Sequence, residues 1–205
     1  MRDRRERIVN QIKDRTALSD RVTAALQTVP RHAFVPPDRR TSAHDDRPLP
    51  IGAGQTISAP HMMAMMTDAL DTAAGTTVLE IGTGCGYHAA VTAELVGAST
   101  MYSVEYHAAL ADRARKTLAA TGYDAVMTRV GDGRNGWPAH VPYDRVYLTC
   151  AAEAFPPALV EQVRPGGILL GPIGRRRQQL VRAQVRADGT LDRTELGAVR
   201  FVRLQ

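Results

Sequence analysis

Val78-Leu79-Glu80-Ile81-Gly82-Thr83-Gly84-Cys85-Gly86 runs from a short apolar strand into three glycines spaced two apart. Glycines there let the backbone approach a ligand closely, and the helical stretch behind them, YHAAVTAELV (87–96), sets its N-terminus toward that ligand. The loop alone is weak evidence. Its spacing is G-x-G-x-G, and Tyr87 fills the position where a dinucleotide site would have its third glycine.

Downstream, strands and helices alternate. TMYSVE (100–105) reads as a strand, HAALADRARKTLAATG (107–122) as a helix closing on Gly122, and AVMTRV (125–130) and DRVYLT (144–149) as further strands. PPALVEQV (156–163) predicts a helix and GGILLGPI (166–173) a buried strand. This alternation predicts an α/β fold with a doubly wound, mostly parallel sheet. The tail breaks the rule: Asp188-Gly189 between two alternating segments predicts an antiparallel hairpin.

In an open sheet of this kind the ligand lies beyond the C-terminal ends of the strands. Glu105 ends the second core strand, 19 residues after Gly86, where a carboxylate suits a ribose diol because it accepts two O–H hydrogen bonds. Nicotinamide and S-adenosylmethionine sites both use that device. Gly131-Asp132-Gly133 follows the third strand and offers an acceptor to an adenine amino group, although Gly-Asp-Gly is also a good turn in any protein.

Upstream, positions 4–29 read as two short helices, the second capped by Ser19 or Asp20. Between Val29 and Pro60 periodicity disappears and Pro, Gly and Asp dominate, which predicts a long irregular lid or binding loop. Pro60 then starts a helix in which Met62, Met63, Met65 and Met66 are expected to pack in the core.

The 205 residues fit one domain, with 1–75 as helices and covering loop and 76–205 as core. No apolar run approaches the roughly 20 residues of a membrane span, and the charged N-terminus lacks a signal-peptide core, so a cytoplasmic protein is expected. Cys85 and Cys150 are expected to be reduced thiols without a metal. The net charge of +5 comes almost wholly from arginine, with Lys13 and Lys116 the sole lysines. Those arginines are scattered, and Arg175-Arg176-Arg177 has no interleaved aromatics, so a solvated turn is expected and nucleic-acid binding is not. A positive surface would still draw acidic peptides.

Taken together, these stretches resemble the protein-L-isoaspartate (D-aspartate) O-methyltransferase family. The resemblance runs from about Val29 to the C-terminus, through Pro48-Leu49-Pro50-Ile51-Gly52, GQTISAPHM (54–62), VLEIGTGCGY, YSVE, GDGRNGW, PYDRVYLT, VRPGGILLGPIG and FVRL. GQTISAP and GDGRNGW are its most specific parts. It implies a Rossmann-like Class I methyltransferase fold with an antiparallel strand near the end. It also implies S-adenosylmethionine as cofactor, held by Glu80, Gly82, Thr83, Gly84, Glu105, Tyr106, Asp132, Gly133 and Thr149. The substrate set it implies is Thr56, Ile57, Ser58, Ala59 and His61, with Ser58 the catalytic choice because its hydroxyl would meet the acceptor oxygen. Ser58 is alternatively an N-cap of the helix that follows. Asp45 and Asp46 are expected to order the loop, and His61 to be a first-turn helix residue rather than a base. The sequence departs from the family at Cys85 (usually Ser), His44 (commonly Tyr), Cys150 (Ala) and Arg203 (Pro).

The expected substrate is a peptide or protein bearing an isoaspartyl or aspartyl carboxylate, handled by a monomer. Such a carboxylate is ionised at neutral pH, so transfer from a sulfonium methyl needs alignment and water exclusion rather than a base. Maturation of one ribosomal peptide, a non-catalytic cofactor-binding module and an NAD-dependent oxidoreductase stand as alternatives.

Overall fold

A computed structural model describes residues 2–205. The N-terminal half opens with helices α1 (Arg2–Arg15) and α2 (Asp20–Thr28), the latter capped by Ser19, whose Oγ accepts from the Val22 N–H. Strands β1 (Leu49–Gly52) and β2 (Gln55–Ile57) form an antiparallel hairpin, followed by α3 (Pro60–Ala69). The core then runs β3 (Val78–Ile81), α4 (Tyr87–Val96), β4 (Met101–Glu105), α5 (Ala108–Ala120) and β5 (Met127–Val130). It ends with β6 (Tyr143–Leu148), α6 (Pro157–Glu161), β7 (Val163–Ile173), β8 (Gln178–Val185) and β9 (Leu191–Val199).

The seven core strands lie in the order β5-β4-β3-β6-β7-β8-β9. Pairing is parallel from β5 to β7 and antiparallel from β7 to β9, and the β8–β9 pair is the one that the Asp188-Gly189 turn predicted. Because β6 returns beside β3 after the chain has moved outward through β4 and β5, the strand order reverses between β3 and β6. A crevice opens at that reversal, above the ends of those two strands.

Strand alternation sorts the core onto two faces. Val78, Met101, Tyr147 and Leu170 face a layer built from α1 to α5, whereas Leu79, Ile81, Val104, Val146 and Leu148 face Phe155 and Leu159. Glu80 shares the face of Val78 and is therefore carried, fully buried, beneath α4.

Residues 29–60 depart from the expected irregular loop. They contain 3-10 turns at Arg31–Ala33 and Pro37–Ser42 besides the β1–β2 hairpin. The cause is a buried side chain that the periodicity could not reveal. Arg31 is 1% exposed, and its Nε donates to the Ala43 carbonyl at 2.8 Å while Nη2 donates to the Ser58 carbonyl at 2.7 Å. The methionines divide as well: Met63 and Met66 are buried, while Met62 and Met65 are only partly so. No described helix is long and apolar enough to cross a membrane.

Candidate active site

Three adjoining cavities surround the β3–β6 reversal. The first, a cleft of about 510 Å³, is lined by Gly82, Gly84, Glu105, Tyr106, Gly133 and Thr149 from the sheet side. Gln55 and Thr56 of the hairpin and the Val202–Gln205 segment close its other walls.

Close approach explains two of the glycines. A Cβ on Gly82, which sits at φ +96°, would lie 2.4 Å from the Thr149 Oγ1, and one on Gly133 would lie 2.4 Å from the Ile81 Cγ2. Thr149 Oγ1 in turn donates to the Gly82 carbonyl at 2.6 Å, so the end of β6 clamps the glycine loop. The Glu105 carboxylate, 4% exposed, accepts from the Gly84 N–H at 2.8 Å and the His107 N–H at 2.9 Å. Each of those bonds takes one oxygen once, leaving a lone pair on each for a diol in the cleft.

Glu80 and Thr83 belong to a second, smaller cavity beneath the loop. Ser103 Oγ and Tyr147 OH donate to the Glu80 carboxyl at 2.6 and 2.9 Å, and Thr83 Oγ1 lies in hydrogen-bond contact with Ser103 Oγ. Burial pushes Glu80 up to about 8, well above the usual carboxylate range. Its geometry makes it a support of the loop floor. Asp132 caps the turn Gly133–Asn135, accepting from the Arg134 N–H, and its carboxylate also accepts from Arg134 Nε at 2.9 Å. The Arg134 hydrogen bond holds it below the usual carboxylate range.

A third cavity, an open groove of about 1240 Å³, is lined by Thr56, Ser58, Ala59, His61, Met62 and Thr149 on one side and by Arg200–Arg203 on the other. Ile57 points the other way, 6% exposed, into the core and the small cavity. Thr56 and Thr149 line all three cavities, so cleft and groove meet between them. Ser58 does not cap α3. The cap position is Ala59, with no side-chain bond, and Asp46 Oδ1 instead accepts from the His61 N–H at 3.0 Å and contacts His61 Nδ1 at 2.8 Å. The Ser58 hydroxyl has no hydrogen-bond partner among the described residues, which leaves it open to a ligand. Asp45 pairs with Arg47 nearby, so both acidic residues order this loop.

Some residues at the site carried no sequence signal of their own. His107 contacts the Gln55 side chain at 3.4 Å, and Arg113 donates to the Ile51 carbonyl, so the hairpin is tied to α5. Val202 and Leu204 reach the site because the Ala151 N–H donates to the Val202 carbonyl at 2.7 Å and the Leu204 N–H to the Ala151 carbonyl at 2.9 Å. Cys85 and Cys150 are both free and buried, and burial pushes their thiols up to about 11 and about 12.

Comparison with known proteins agrees with this geometry. The family model described as "Protein-L-isoaspartate(D-aspartate) O-methyltransferase (PCMT)" matches residues 2–205. "Protein-L-isoaspartate O-methyltransferase 2" of Archaeoglobus fulgidus is 48% identical over 204 residues, 99% of this chain and 93% of the relative. The protein of that name from Methanopyrus kandleri is 48% identical, with 98% and 90% covered. Among solved structures, a protein-L-isoaspartate O-methyltransferase superposes with TM-score 0.88 at 29% identity, over 97% of this chain and 65% of that one. A Plasmodium falciparum structure in complex with S-adenosyl-L-homocysteine gives TM-score 0.84 at 20% identity over 98% of both chains, a likeness of fold. The glycine loop clamped by Thr149, the acidic end of β4 and the hairpin carrying Thr56 to Ser58 are thus read in a chain that belongs to the protein-L-isoaspartate(D-aspartate) O-methyltransferase family.

Proposed function

We propose that the protein transfers the methyl group of S-adenosylmethionine to an isoaspartyl side-chain or α-carboxylate of a peptide or protein. The observation that carries this reading is the meeting of the cleft and the groove at Thr56 and Thr149. A cofactor in the cleft and a peptide in the groove would face each other across that junction.

The cleft residues fit the cofactor. The bare backbone at Gly82 and Gly133 lets Thr149 and Ile81 pack directly against the cleft floor, and Glu105 offers its remaining lone pairs to a ribose. Gly84, Thr149 and Tyr106 line the same cleft, whereas Asp132 does not line it and its carboxylate is engaged by Arg134, so an adenine contact there needs Arg134 to give way. When bound, S-adenosylmethionine supplies a methyl already activated by sulfonium charge. The protein's part is then to align, desolvate and orient. Ser58 donates its free hydroxyl to the acceptor carboxylate, holding one oxygen toward the junction, while Thr56 and Ala59 shape the wall. His61, already engaged by Asp46, contributes a surface rather than a base. The methyl ester so formed is a better leaving group than the carboxylate. Attack by the neighbouring backbone nitrogen then expels methanol and closes a succinimide, whose hydrolysis returns some ordinary aspartate.

In this reading residues 1–205 act as one methyltransferase domain and as a monomer, with 1–75 covering the site. Two free thiols suit a reducing compartment, so the cytoplasm is the place assigned. Methyl-acceptor profiling with matched isoaspartyl and aspartyl peptides, linear and cyclic, tests the substrate. Turnover of the linear isoaspartyl peptide is expected. Inactivity on it, with turnover of a normal aspartate in one cyclic precursor, would replace repair by peptide maturation. Ser58→Ala should lower kcat about tenfold while leaving S-adenosylhomocysteine affinity within about twofold, since the lost contact is to the acceptor alone.

A further inference from the structure

We infer that Arg200 and Arg203 form a basic wall of the peptide groove that selects substrates carrying acidic residues beside the acceptor. This rests on the carboxyl-methyl-transfer reading above and extends it to the sequence around the modified residue.

The wall faces the substrate-side segment. Arg200 and Arg203 line the same groove as Thr56, Ser58 and His61. Both arginines are exposed. Among the described residues neither forms an ion pair; Arg203 donates only to the Arg175 carbonyl. No aspartate or glutamate lines the groove. Asp46 accepts from His61, Glu153 pairs with Arg175 at 2.8 Å, and Glu105, which lines the adjoining cleft with Arg203, accepts from the Gly84 and His107 N–H groups. Arg176 and Arg177, also exposed and without ion pairs, extend the positive field beyond Arg175.

The backbone beneath the wall is fixed. Gln178 Oε1 accepts from the Phe201 N–H at 2.6 Å, its Nε2 donates to the Phe201 carbonyl at 3.1 Å, and the Val202 and Leu204 backbone is bonded to Ala151. Two arginines without an ion pair among the described residues, on a groove that no carboxylate lines, leave it complementary to a negative peptide. The flanking acidic residues of a peptide keep their charge throughout the transfer, so the arginines bind them alike in ground state and transition state. Their effect should appear in KM and fade with salt.

The test uses three linear isoaspartyl peptides that differ only in the flanking residues: glutamate, glutamine or lysine. The intact protein should favour the glutamate peptide over the glutamine one by about tenfold in kcat/KM at low salt, equivalent to about 1.4 kcal/mol, and disfavour the lysine peptide. Arg200→Gln with Arg203→Gln should shrink the ratio to within about twofold. Arg200→Glu with Arg203→Glu should invert it toward the lysine peptide, a gain that misfolding cannot imitate. Equal kcat/KM for the three peptides, or a glutamate preference surviving the double substitution, overturns the inference. Fluorescence anisotropy of the same peptides with S-adenosylhomocysteine present separates the two readings. Charge-dependent binding that the double substitution removes supports the wall even if no peptide is methylated, and charge-blind binding overturns it even if all of them are.

Discussion

The two halves of the site are held by different physics. On the cofactor side, the glycine loop between β3 and α4 is fixed by steric contact with its neighbours: Thr149 lies where a Gly82 side chain would begin, and Ile81 where one on Gly133 would. On the substrate side, the segment from Ala43 to Met62 buries Leu49, Ile51 and Ile57 in the core and adds polar side chains reaching across long sequence separations. Arg31 bonds Ala43 and Ser58, Asp46 bonds His61, and Arg113 bonds Ile51. Single substitutions therefore probe the two halves separately.

The largest effect should follow from breaking the cofactor half. Gly82→Ala places a methyl 2.4 Å from the Thr149 Oγ1 at a φ of +96°. Strain and clash together should weaken S-adenosylhomocysteine binding at least about a hundredfold, roughly 2.7 kcal/mol, as read by calorimetry. Near-normal affinity would show that steric contact does not fix this half.

Arg31→Met strikes the polar half. It removes the donors of the Ala43 and Ser58 carbonyls and should cost about 2 kcal/mol of stability by chemical denaturation. Turnover should fall about tenfold through misplacement of Ser58, with cofactor affinity within about threefold. Loss of cofactor affinity alongside turnover would erase the distinction between the halves.

Glu80 sharpens the comparison from beneath the loop. Its folded pKa of about 8 lies above the ordinary 4.5, so folding favours the protonated form. The stability it contributes is therefore fully present below about pH 4.5 and is lost as pH rises to about 8. Glu80→Gln should flatten the alkaline fall of the denaturation midpoint between pH 5 and 9, and an unchanged pH profile would assign that fall to other groups. On the acid side, burial holds His88 down to about 3 and His44 down to about 4, so their contributions are lost as pH drops below 6.5. The smallest effect is expected of Asp46→Ala. It removes the acceptor at the start of α3 and should cost about 1 kcal/mol, measured as a modest shift in denaturation midpoint.

Much of the cofactor half could be read along the chain. YHAAVTAELV is helical over the stated span, Glu105 ends its strand, and Asp188-Gly189 turns an antiparallel pair, because each follows from local periodicity or turn chemistry. The polar half resisted such reading. Arg31 looks like any charged residue in V-P-R-H, and nothing local marks it as buried against Tyr87, whose ring lies 4.9 Å from its guanidinium carbon. Ser58 had the composition of a helix cap, but Asp46, 15 residues from His61, took that place.

What the sequence alone determined is the alternation of strands and helices, the glycine loop at the end of β3 and the acidic residues that follow the next strands. These depend on side-chain period and backbone sterics within a few residues. Tertiary structure decided that Thr56 and Thr149 stand at one junction, that Glu80 is buried beneath α4, and that Arg200, Arg203 and Ser58 line one groove. Those arrangements arise only when the β3–β6 reversal and the return of residues 200–204 onto Ala151 bring distant segments together, and no local rule encodes such a meeting.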